Sequence, residues 1–405
     1  MKVLTYTSLF PNPAQPELGV FIYQRMAHFA ALQNNEVIVV APIPYAPSWF
    51  SRTRWKKWTG IPAVETRGNL TVYHPAYAML PGVSLPLQAL LMFLGSFPLV
   101  RRIHQEHRFD IIDAHFVYPD GLAATLLGKM LHLPTVVSAR GTDINMYPSL
   151  RLIRPQIRWT LKNAAGAIAV CKPLGDEMRS LAGPQRDVAV IGNGVDPTRF
   201  FPTDRKEARR QLGLPLDSRI AIAVGSLIPR KGYQFLIPAV AEIRKQFPDL
   251  HLYIVGEGDY RSELERMIRA CDLVDCVELR GNCPNTQLRA WYCSADVSCL
   301  VSSREGWPNV LLESMACGTP ALATGVWGTP EVITSPDLGV IVEQNVDSIA
   351  LGLEAALRRT WVREHIAAYA RSRDWNVVAR EVQEYLATIL RRLAFTTQVS
   401  PSATQ

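Results

Sequence analysis

The sequence lacks the patterns that mark several classes of enzyme. It has no Asp-x-Asp pair, the usual carboxylate pair that carries a divalent metal on a diphosphate. Its seven cysteines show no Cys-x-x-Cys spacing, which argues against a zinc site and favours buried, reduced thiols. The Gly-Glu-Gly triplet at 256–258 lacks the remaining glycine of a dinucleotide-binding fingerprint. Neither a zinc site nor NAD binding is therefore supported by the sequence.

The sequence also lacks a secretion signal and a membrane span. The segment MKVLTYTSLF has too short an apolar run and no small-residue cleavage site for a signal peptide. The longest apolar stretch, residues 85–100, is too short to cross a bilayer and is interrupted by Pro86 and Pro98. No helix-turn-helix, zinc-finger or RNA-binding signature indicates nucleic acid. We therefore expect a cytoplasmic protein that does not bind nucleic acid.

Length and composition predict a folded protein of two domains. The chain has 405 residues, of which 48% are hydrophobic and 20% are charged. This length exceeds what one hydrophobic core usually serves, so two domains are expected. The net charge of +7 favours anionic partners, namely nucleotide phosphates, acidic polymers or an anionic membrane surface, without choosing among them.

Strand and helix signals alternate along both halves of the chain. The first half contains the strand-like segments MKVLTYTSL, EVIVVAP, FDIIDAH and PTVVSAR, and the second contains RIAIAVGSL, LHLYIVGEG and CVELRG. Alternating strands and helices predict an α/β protein with parallel sheets, which bind ligands at the carboxyl ends of their strands. We predict two Rossmann-like domains, 1–200 and 201–375, with sheets that face each other across a cleft. A helix at 376–394 should pack back on the first domain, and 396–405 should be a disordered tail.

Two glutamates in the segment REGWPNVLLESMACGTP, residues 304–320, have a spacing that one regular helix explains poorly. Residues eight positions apart lie about 80° apart around a helix axis and do not stack. A strand before Glu305, a turn at Gly306 and a helix that begins at Pro308 would instead place Glu305 in a loop and Glu313 on the helix. This arrangement predicts a strand, turn and helix unit with one carboxylate on each side of the helix start.

The first turn of that helix is a candidate anion site. The amides near Asn309, Val310 and Leu311 should be free, and the helix N-terminus carries a partial positive charge. Carboxylates accept hydrogen bonds from hydroxyls, and a phosphate flanked by two hydroxyl-rich groups is a nucleotide sugar. For this stretch alone, the alternative is an ordinary βαβ unit with two solvated glutamates.

The segment VGSLIPRKGYQFLI, residues 224–237, is a second candidate anion site. It is predicted to be a strand, a loop with Arg230 and Lys231, and a helix opened by Gly232. At the carboxyl end of a strand these two cations can neutralise a diphosphate, with arginine acting as a fork and lysine as a point charge. A solvated charged loop is the alternative.

The first half contributes further candidates at predicted strand ends. In ARGTDIN, residues 139–145, Arg140 can hold a phosphate or a sugar hydroxyl, whereas Asp143 can accept hydroxyl protons or cap the next helix. Gly19 ends a proline-rich loop and allows the backbone to approach a ligand. His115 ends the FDIIDAH strand, and a lone histidine there is more often structural than catalytic.

These motifs together resemble the family 4 glycosyltransferases. Gly19, ARGTDIN, IGNGVDPTRFFP, VGSLIPRKG, IVGEGD and REGWPNVLLESMACGTPALAT occur in the family's order, from Met1 to about Leu386. The resemblance implies a GT-B fold and retaining transfer from a UDP- or GDP-linked sugar, with no cofactor and no essential metal. The RGTD variant is similar to bacterial transferases of capsule, teichuronic-acid or exopolysaccharide pathways.

The resemblance also implies roles for individual residues. Glu305 would contact the donor-sugar hydroxyls, Glu313 the ribose hydroxyls and Lys231 the diphosphate. The amides of residues 309–311 would serve the sugar and the phosphate, next to the turn at Gly306.

The sequence departs from the family at two positions. Many members have arginine at the position of Ser226, so one phosphate contact is missing and Arg230 is the candidate replacement. Many also have histidine where this chain has Arg140. Because a guanidinium stays protonated, Arg140 cannot act as a base and would stabilise developing negative charge instead. His115 and Asp143 are expected on the acceptor side.

Two functions other than sugar transfer are the alternatives for this sequence. A nucleotide-sugar epimerase on the same fold fits the RKG loop and the paired glutamates less well. A non-catalytic carbohydrate-binding subunit would need degraded donor residues, and these residues are intact.

The acceptor is expected to be a saccharide or a lipid-linked saccharide at the cytoplasmic face of the membrane. The segment SWFSRTRWKKWTG, residues 48–60, interleaves aromatic with basic residues, a mixture that suits peripheral attachment to an anionic membrane. These residues are Trp49, Phe50, Trp55 and Trp58 with Arg52, Arg54, Lys56 and Lys57. The apolar stretch 85–100 lies in the same half. Packing of the tryptophans on the domain, or binding of a soluble acidic glycan, is the alternative.

Overall fold

The fold is described from a computed structural model, which covers residues 1–45, 58–79 and 85–399, with side chains to residue 395. The chain divides into two compact units. The first unit comprises Met1–Asn193 and Trp375–Gln405, and the second comprises Gly194–Asp374. Of the aromatic and basic residues in the segment 48–60, all but Trp58 lie outside the described residues.

The first unit is built on an eight-stranded sheet and a two-stranded one. Its strands are β1 (Lys2–Tyr6), β2 (Glu36–Val40), β3 (Ile43–Pro44), β4 (Val64–Arg67), β5 (Leu70–Tyr73), β6 (Ala76–Tyr77), β7 (Ile111–His115), β8 (Thr135–Ala139), β9 (Gly166–Ala169) and β10 (Ala189–Val190). Its helices before residue 193 are α1 (Val20–Ala31), α2 (Gln88–His107), α3 (Leu122–Leu131), α4 (Thr142–Asn145), α5 (Arg154–Asn163) and α6 (Lys172–Ala182).

The larger sheet has the strand order β10-β9-β8-β7-β1-β2-β5-β4 and is parallel except for the β4–β5 pair. All five residues of β7 and of β8 are buried, as expected for central strands of a parallel sheet, and the buried set includes the polar residues Asp113 and His115. The chain order reverses at β1, which pairs with β2 on one side and β7 on the other. The loops after β1 and β7 therefore diverge and open a crevice.

The second unit is built on a six-stranded parallel sheet with the order β13-β12-β11-β14-β15-β16. The strands are β11 (Arg219–Val224), β12 (Leu250–Val255), β13 (Val277–Gly281), β14 (Val297–Leu300), β15 (Ala321–Thr324) and β16 (Gly339–Val342). The helices are α7 (Arg205–Leu212), α8 (Tyr233–Arg244), α9 (Arg261–Ala270), α10 (Leu288–Ser294), α11 (Asn309–Ala316), α12 (Thr329–Val332), α13 (Val346–Arg358) and α14 (Arg363–Ser372). Two buried apolar clusters pack helices against this sheet.

The last helix, α15 (Trp375–Val399), packs in the first unit. Trp375 and Leu386 belong to its buried core, and the Tyr385 hydroxyl donates to the carbonyl of Ala167 at 3.0 Å. The helix continues to Val399, so the segment expected to be a tail from residue 396 begins inside a helix, while 400–405 lie outside the described residues.

The expected α/β architecture, with parallel sheets in two domains, is confirmed. Among the helices of the described residues, none is both long and apolar enough to cross a membrane.

Candidate functional site

The second sheet reverses its strand order between β11 and β14, and two predicted motifs follow these strands. The chain runs from β11 toward β12 on one side and from β14 toward β15 on the other, so the loops after them diverge. Open α/β sheets bind ligands at this kind of crevice. Arg230 and Lys231 come from the loop after β11, and Glu305 comes from the loop after β14.

The three charged side chains meet at this point. Lys231 Nζ donates to Glu305 Oε1 at 2.6 Å, and an Arg230 guanidinium nitrogen lies 4.0 Å from Glu305 Oε2. The side chains of Lys231 and Glu305 are only 13% and 11% exposed. Removal of one partner from such a pair leaves an uncompensated charge in a medium of low dielectric constant, which is costly. The two cations predicted to bind a diphosphate and the glutamate predicted to contact the sugar therefore form one cluster.

Gly232 holds the loop after β11 against the end of β14. Its φ of +76° is in the left-handed region, and a Cβ there would lie 2.0 Å from the carbonyl oxygen of Val301. The amide of Ser303 also donates to the carbonyl of Arg230 at 2.9 Å. Ser226 lies earlier in the same loop and is exposed. The close backbone approach explains why a glycine follows the two cations.

The first turn of α11 differs from the expectation that three amides are free. The amide of Asn309 donates to the carbonyl of Trp307 at 3.0 Å, and that of Leu311 donates to the carbonyl of Pro308 at 3.0 Å. The expectation is therefore wrong for these two residues, because the chain tightens at the helix start and nearby carbonyls accept their protons. Of the three amides, that of Val310 is the one without an acceptor among the described residues.

Glu313 lies on α11, with a tyrosine partner that the sequence analysis did not identify. The Tyr292 hydroxyl donates to Glu313 Oε2 at 3.0 Å, and Tyr292 is fully buried. Burial raises the pKa of Tyr292 well above its ordinary value, and the neighbouring Glu313 raises it further, so the hydroxyl stays protonated and remains a donor. The buried side chain of Tyr292 therefore orients the Glu313 carboxylate.

Trp307 is a further side chain that the sequence analysis missed. It lies between Gly306 and Pro308, and its indole Nε1 is buried without an acceptor among the described residues. A buried donor without a partner is costly, so this N–H is a candidate ligand contact. The signal was present in the sequence, since Trp307 is inside the segment between the two glutamates.

Arg140 and His115 lie together in the first unit, after β8 and at the end of β7. A terminal nitrogen of Arg140 contacts His115 Nδ1 at 2.5 Å, and the other donates to Asn193 Oδ1 at 2.9 Å. Because arginine only donates, Nδ1 of His115 is the acceptor, and a neutral imidazole carries its proton on Nε2. Nε2 lies 3.3 Å from Asp113 Oδ2. The Arg140 guanidinium also lies 5.4 Å from the ring centroid of Phe21.

Burial and neighbouring charges together set the charge states of His115, Arg140 and Asp113. Burial lowers the pKa of His115 to about 3 despite the opposing effect of Asp113, so the imidazole is neutral at neutral pH. Burial also lowers the pKa of Arg140 to about 9, which still leaves it charged. Burial alone would raise the pKa of Asp113, but the guanidinium of Arg25, 3.4 Å away, and His115 hold that pKa well below its ordinary value.

Asp143 serves the backbone around this cluster. Its carboxylate is fully buried and accepts from the amides of Val117 and Gly141 at 2.8 Å each, and from that of Arg140 at 3.1 Å. These contacts tie the loop after β7 to the loop after β8. They favour the structural interpretation of Asp143 over direct contact with an acceptor.

Asp120 is a buried carboxyl that the sequence analysis did not select. It accepts hydrogen bonds from the amide and the hydroxyl of Ser8, and it therefore links the loops that follow β1 and β7. Burial raises the pKa of Asp120 to about 7, even though the bonds from Ser8 act in the opposite direction.

Gly19 caps the start of α1 with a φ of +64°. A Cβ at this position would lie 2.1 Å from the carbonyl oxygen of Leu9, so the loop after β1 packs directly on the backbone of Gly19. Phe21 follows Gly19 by two residues, and its ring lies beside Arg140. The glycine is thus required by a close approach of two backbone segments.

Family models match both halves of the chain. Residues 18–199 match "Glycosyltransferase Family 4", and residues 204–373 match "Glycosyl transferases group 1". The two matches together span the chain from residue 18 to residue 373 with only a short gap.

Individual proteins show the same relationship. The chain is 29% identical over 334 residues to the Bacillus subtilis glycosyltransferase TuaC, named for teichuronic acid biosynthesis, with 81% of this chain and 82% of TuaC covered. It is 27% identical to a GDP-mannose-dependent alpha-(1-6)-phosphatidylinositol monomannoside mannosyltransferase of Mycolicibacterium smegmatis, with 75% and 78% covered. These similarities give no support to the epimerase or binding-subunit alternatives.

The fold is also that of solved glycosyltransferase structures. Anabaena HepE in complex with UDP and glucose superposes with a TM-score of 0.70 at 20% identity, with 96% of this chain and all of that chain covered. The parallel sheets in two domains, the two family matches and the curated relatives agree. The chain therefore belongs to the family 4 glycosyltransferases and has a GT-B fold.

Proposed function

We propose that this glycosyltransferase moves a sugar, with retention of its anomeric configuration, from a UDP- or GDP-linked donor to a saccharide or lipid-linked saccharide. We further propose that it acts in bacterial surface polysaccharide synthesis. The observation that carries this proposal is the cluster of Arg230, Lys231 and Glu305 where the second sheet reverses its strand order. Two cations beside one carboxylate suit a diphosphate attached to a hydroxyl-rich sugar.

The second unit would hold the donor. Lys231 and Arg230 would bind the diphosphate, and Glu305 would accept hydrogen bonds from the sugar hydroxyls. Glu313, held by Tyr292, would accept from the ribose hydroxyls. The amides of the first turn of α11, chiefly that of Val310, and the backbone at Gly306 and Ser226 would complete the phosphate and sugar contacts.

The cations supply the charge stabilisation that the reaction needs. The bond between the anomeric carbon and the diphosphate oxygen breaks, and the acceptor oxygen bonds to the same face of the sugar while its proton passes to the diphosphate. Negative charge grows on the departing diphosphate, and Arg230 and Lys231 offset it. We propose that no essential metal is needed, because these two side chains and the first turn of α11 carry this charge.

The first unit would hold the acceptor. Arg140 is charged at neutral pH and would stabilise developing negative charge or donate to an acceptor oxygen. His115 is neutral, with Nδ1 engaged by Arg140 and Nε2 3.3 Å from Asp113 Oδ2. His115 would therefore position Arg140 instead of acting as a base, and Asp143 would fix the backbone around it.

The relatives and the cysteines support this choice of donor, acceptor and compartment. The mycobacterial relative is named for GDP-mannose and for a phosphatidylinositol-linked acceptor, and the HepE structure contains UDP and glucose. All seven cysteines are free thiols, as expected for a reducing compartment. We propose that the protein acts in the cytoplasm, at the inner face of the membrane.

A nucleotide-sugar panel tests this function. The purified protein is incubated with UDP- and GDP-sugars, with and without saccharide and lipid-linked acceptors, and nucleoside diphosphate and sugar products are measured. Nucleoside diphosphate released together with a glycosylated acceptor supports the proposal. Conversion of the donor sugar into its epimer without acceptor, or binding of sugars with no turnover of any donor, contradicts it.

A further inference from the structure

The exposed side of α5 carries a row of cations in the first unit. Arg154, Arg158 and Lys162 are spaced by four residues, so they lie on one face of the helix. Together with Arg151, just before the helix, they line a surface groove of about 600 Å³ that also contains Trp159. All four cations are exposed.

The sequence around this row contains no acidic residues. The sequence contains no aspartate or glutamate between Asp143, which is fully buried, and Asp176. None of the four cations forms an ion pair with a described residue. Their field is therefore directed at solvent and attracts anions.

Exposed leucines accompany the cations. Leu152 is 66% exposed and precedes α5. At the start of α2, Leu87, Leu90 and Leu94 are 58%, 46% and 56% exposed. Their spacing of three and four residues places these three on one face, while the opposite face of α2 is buried in the unit. Large apolar side chains clustered on a surface mark a site of interaction.

The two sets of residues belong to neighbouring parts of the fold. Gln156, in the first turn of α5, donates from Nε2 to the carbonyls of Pro86 and Leu152 at 2.9 Å each, which joins the start of α5 to the turn that opens α2. The Tyr118 hydroxyl donates to the carbonyl of Leu85 in the same turn. The start of the cation row, with Leu152, and the start of the leucine row, with Leu87, are therefore held next to each other.

We propose that Arg151, Arg154, Arg158 and Lys162 with Leu87, Leu90, Leu94 and Leu152 form a docking surface for a bilayer of anionic phospholipids. Cations close to a membrane bind anionic headgroups, and leucines beside them enter the boundary with the acyl chains. A soluble polyanion would engage the cations alone and leave the leucines exposed. The proposal rests on the proposed function in one respect, since it brings the first unit to the surface that presents a lipid-linked acceptor.

Vesicle sedimentation of the full chain tests this surface. Wild type is mixed with vesicles of phosphatidylcholine alone and of phosphatidylcholine with phosphatidylglycerol. The basic variant carries Arg151, Arg154, Arg158 and Lys162 changed to Gln, and the apolar variant carries Leu90→Ser and Leu94→Ser. A control variant loses equal charge at exposed positions of the second unit, with Lys206, Lys245, Arg269 and Arg371 changed to Gln.

Wild type and the control are expected to bind the anionic vesicles, and the basic variant should bind at least about tenfold more weakly. The apolar variant should also lose binding. Equal binding of wild type and the basic variant overturns the proposal, as does failure of wild type to bind. If the apolar variant binds like wild type and a soluble acidic polysaccharide competes fully, the surface is a polyanion site and the membrane proposal is wrong.

Two further measurements distinguish a failure of membrane docking from a failure of the proposed function. Thermal unfolding checks that each variant is folded, and nucleoside diphosphate affinity should be unchanged in all of them. Transfer to a water-soluble acceptor should also persist in the basic variant. Loss of vesicle binding with intact transfer bears on docking alone, whereas absence of turnover with every donor contradicts the proposed function whatever the vesicles show.

Discussion

Lys231 Nζ donates a hydrogen bond to Glu305 Oε1 at 2.6 Å and so joins the loops that follow two neighbouring strands, β11 and β14. The two residues are 74 positions apart in the chain, yet each was selected from its own local pattern. The contact makes the carboxylate proposed to face the sugar and the cation proposed to face the phosphate parts of one nearly buried pair. Changes at either residue should therefore affect binding of the donor.

Lys231→Ala should weaken binding of the nucleoside diphosphate by about 10- to 100-fold, because a charge-assisted contact to phosphate is lost and Glu305 keeps only its longer contact with Arg230. Calorimetric titration with UDP and GDP measures this change. Lys245→Ala, at an exposed lysine just after α8, is the matched control and should bind like wild type. Equal affinity of Lys231→Ala and wild type would remove Lys231 from the donor site.

Tyr292→Phe should weaken nucleoside binding by about 3- to 10-fold, since one hydrogen bond to Glu313 is worth about 1 kcal/mol. The effect should be the same for a nucleoside monophosphate and diphosphate, because Glu313 is assigned to the ribose. Tyr369→Phe, which removes another tyrosine hydroxyl bonded to Thr334, is the control. A loss confined to the diphosphate would contradict the ribose assignment.

Gly232→Ala and Gly213→Ala form a matched pair. Both glycines have positive φ, of +76° and +67°, but a Cβ at Gly232 would lie 2.0 Å from the carbonyl oxygen of Val301, whereas one at Gly213 meets nothing within 4 Å. Gly213→Ala should cost about 1 kcal/mol of unfolding free energy. Gly232→Ala should cost more and should also weaken nucleoside diphosphate binding, because the loop carrying Lys231 must move. Similar urea midpoints for the two variants would show that the close approach is not a constraint.

Asp120 makes the stability of the protein depend on pH. Burial raises the pKa of Asp120 to about 7 in the folded state, against an ordinary value near 4, so the folded protein holds this proton over a range where the unfolded chain has lost it. Its contribution to stability is present below about pH 4 and is lost as the pH rises toward 7. Asp120→Asn should therefore become more stable relative to wild type across this window, by up to about 4 kcal/mol.

Urea unfolding between pH 4 and pH 8 measures this difference. Asp259→Asn, at an exposed aspartate, is the control and should show a constant difference from wild type. A difference between Asp120→Asn and wild type that does not change with pH would show that the pKa of Asp120 is not raised in the folded protein.

The parallel sheets could be predicted because most of their strands are short, largely apolar segments that alternate with helix signals along the chain. The cluster of Arg230, Lys231 and Glu305 could be predicted in part, because each residue follows a strand and parallel strands deliver their loops to one edge. Tyr292 could not be assigned to Glu313, since no local pattern connects a residue on α10 with one on α11. Likewise, Arg25 and Asp113 are 88 positions apart and only folding reveals that they set the charge state around His115.

The amides of α11 show a different limit of prediction from the sequence. A helix start was expected at Pro308 and the helix begins at Asn309, but whether an amide is free depends on the tightness of the first turn. The bonds from Asn309 and Leu311 to nearby carbonyls are details of backbone geometry that residue types do not determine.

The central claim is retaining, metal-independent sugar transfer through the site around Lys231 and Glu305. Proton NMR of a reaction with the donor and acceptor identified by the panel, in excess EDTA, tests it most directly. We predict that the donor is consumed, nucleoside diphosphate appears, and the new glycosidic linkage has the anomeric configuration of the donor. A product of inverted configuration, or activity that disappears in EDTA and returns only with magnesium or manganese, would contradict the account.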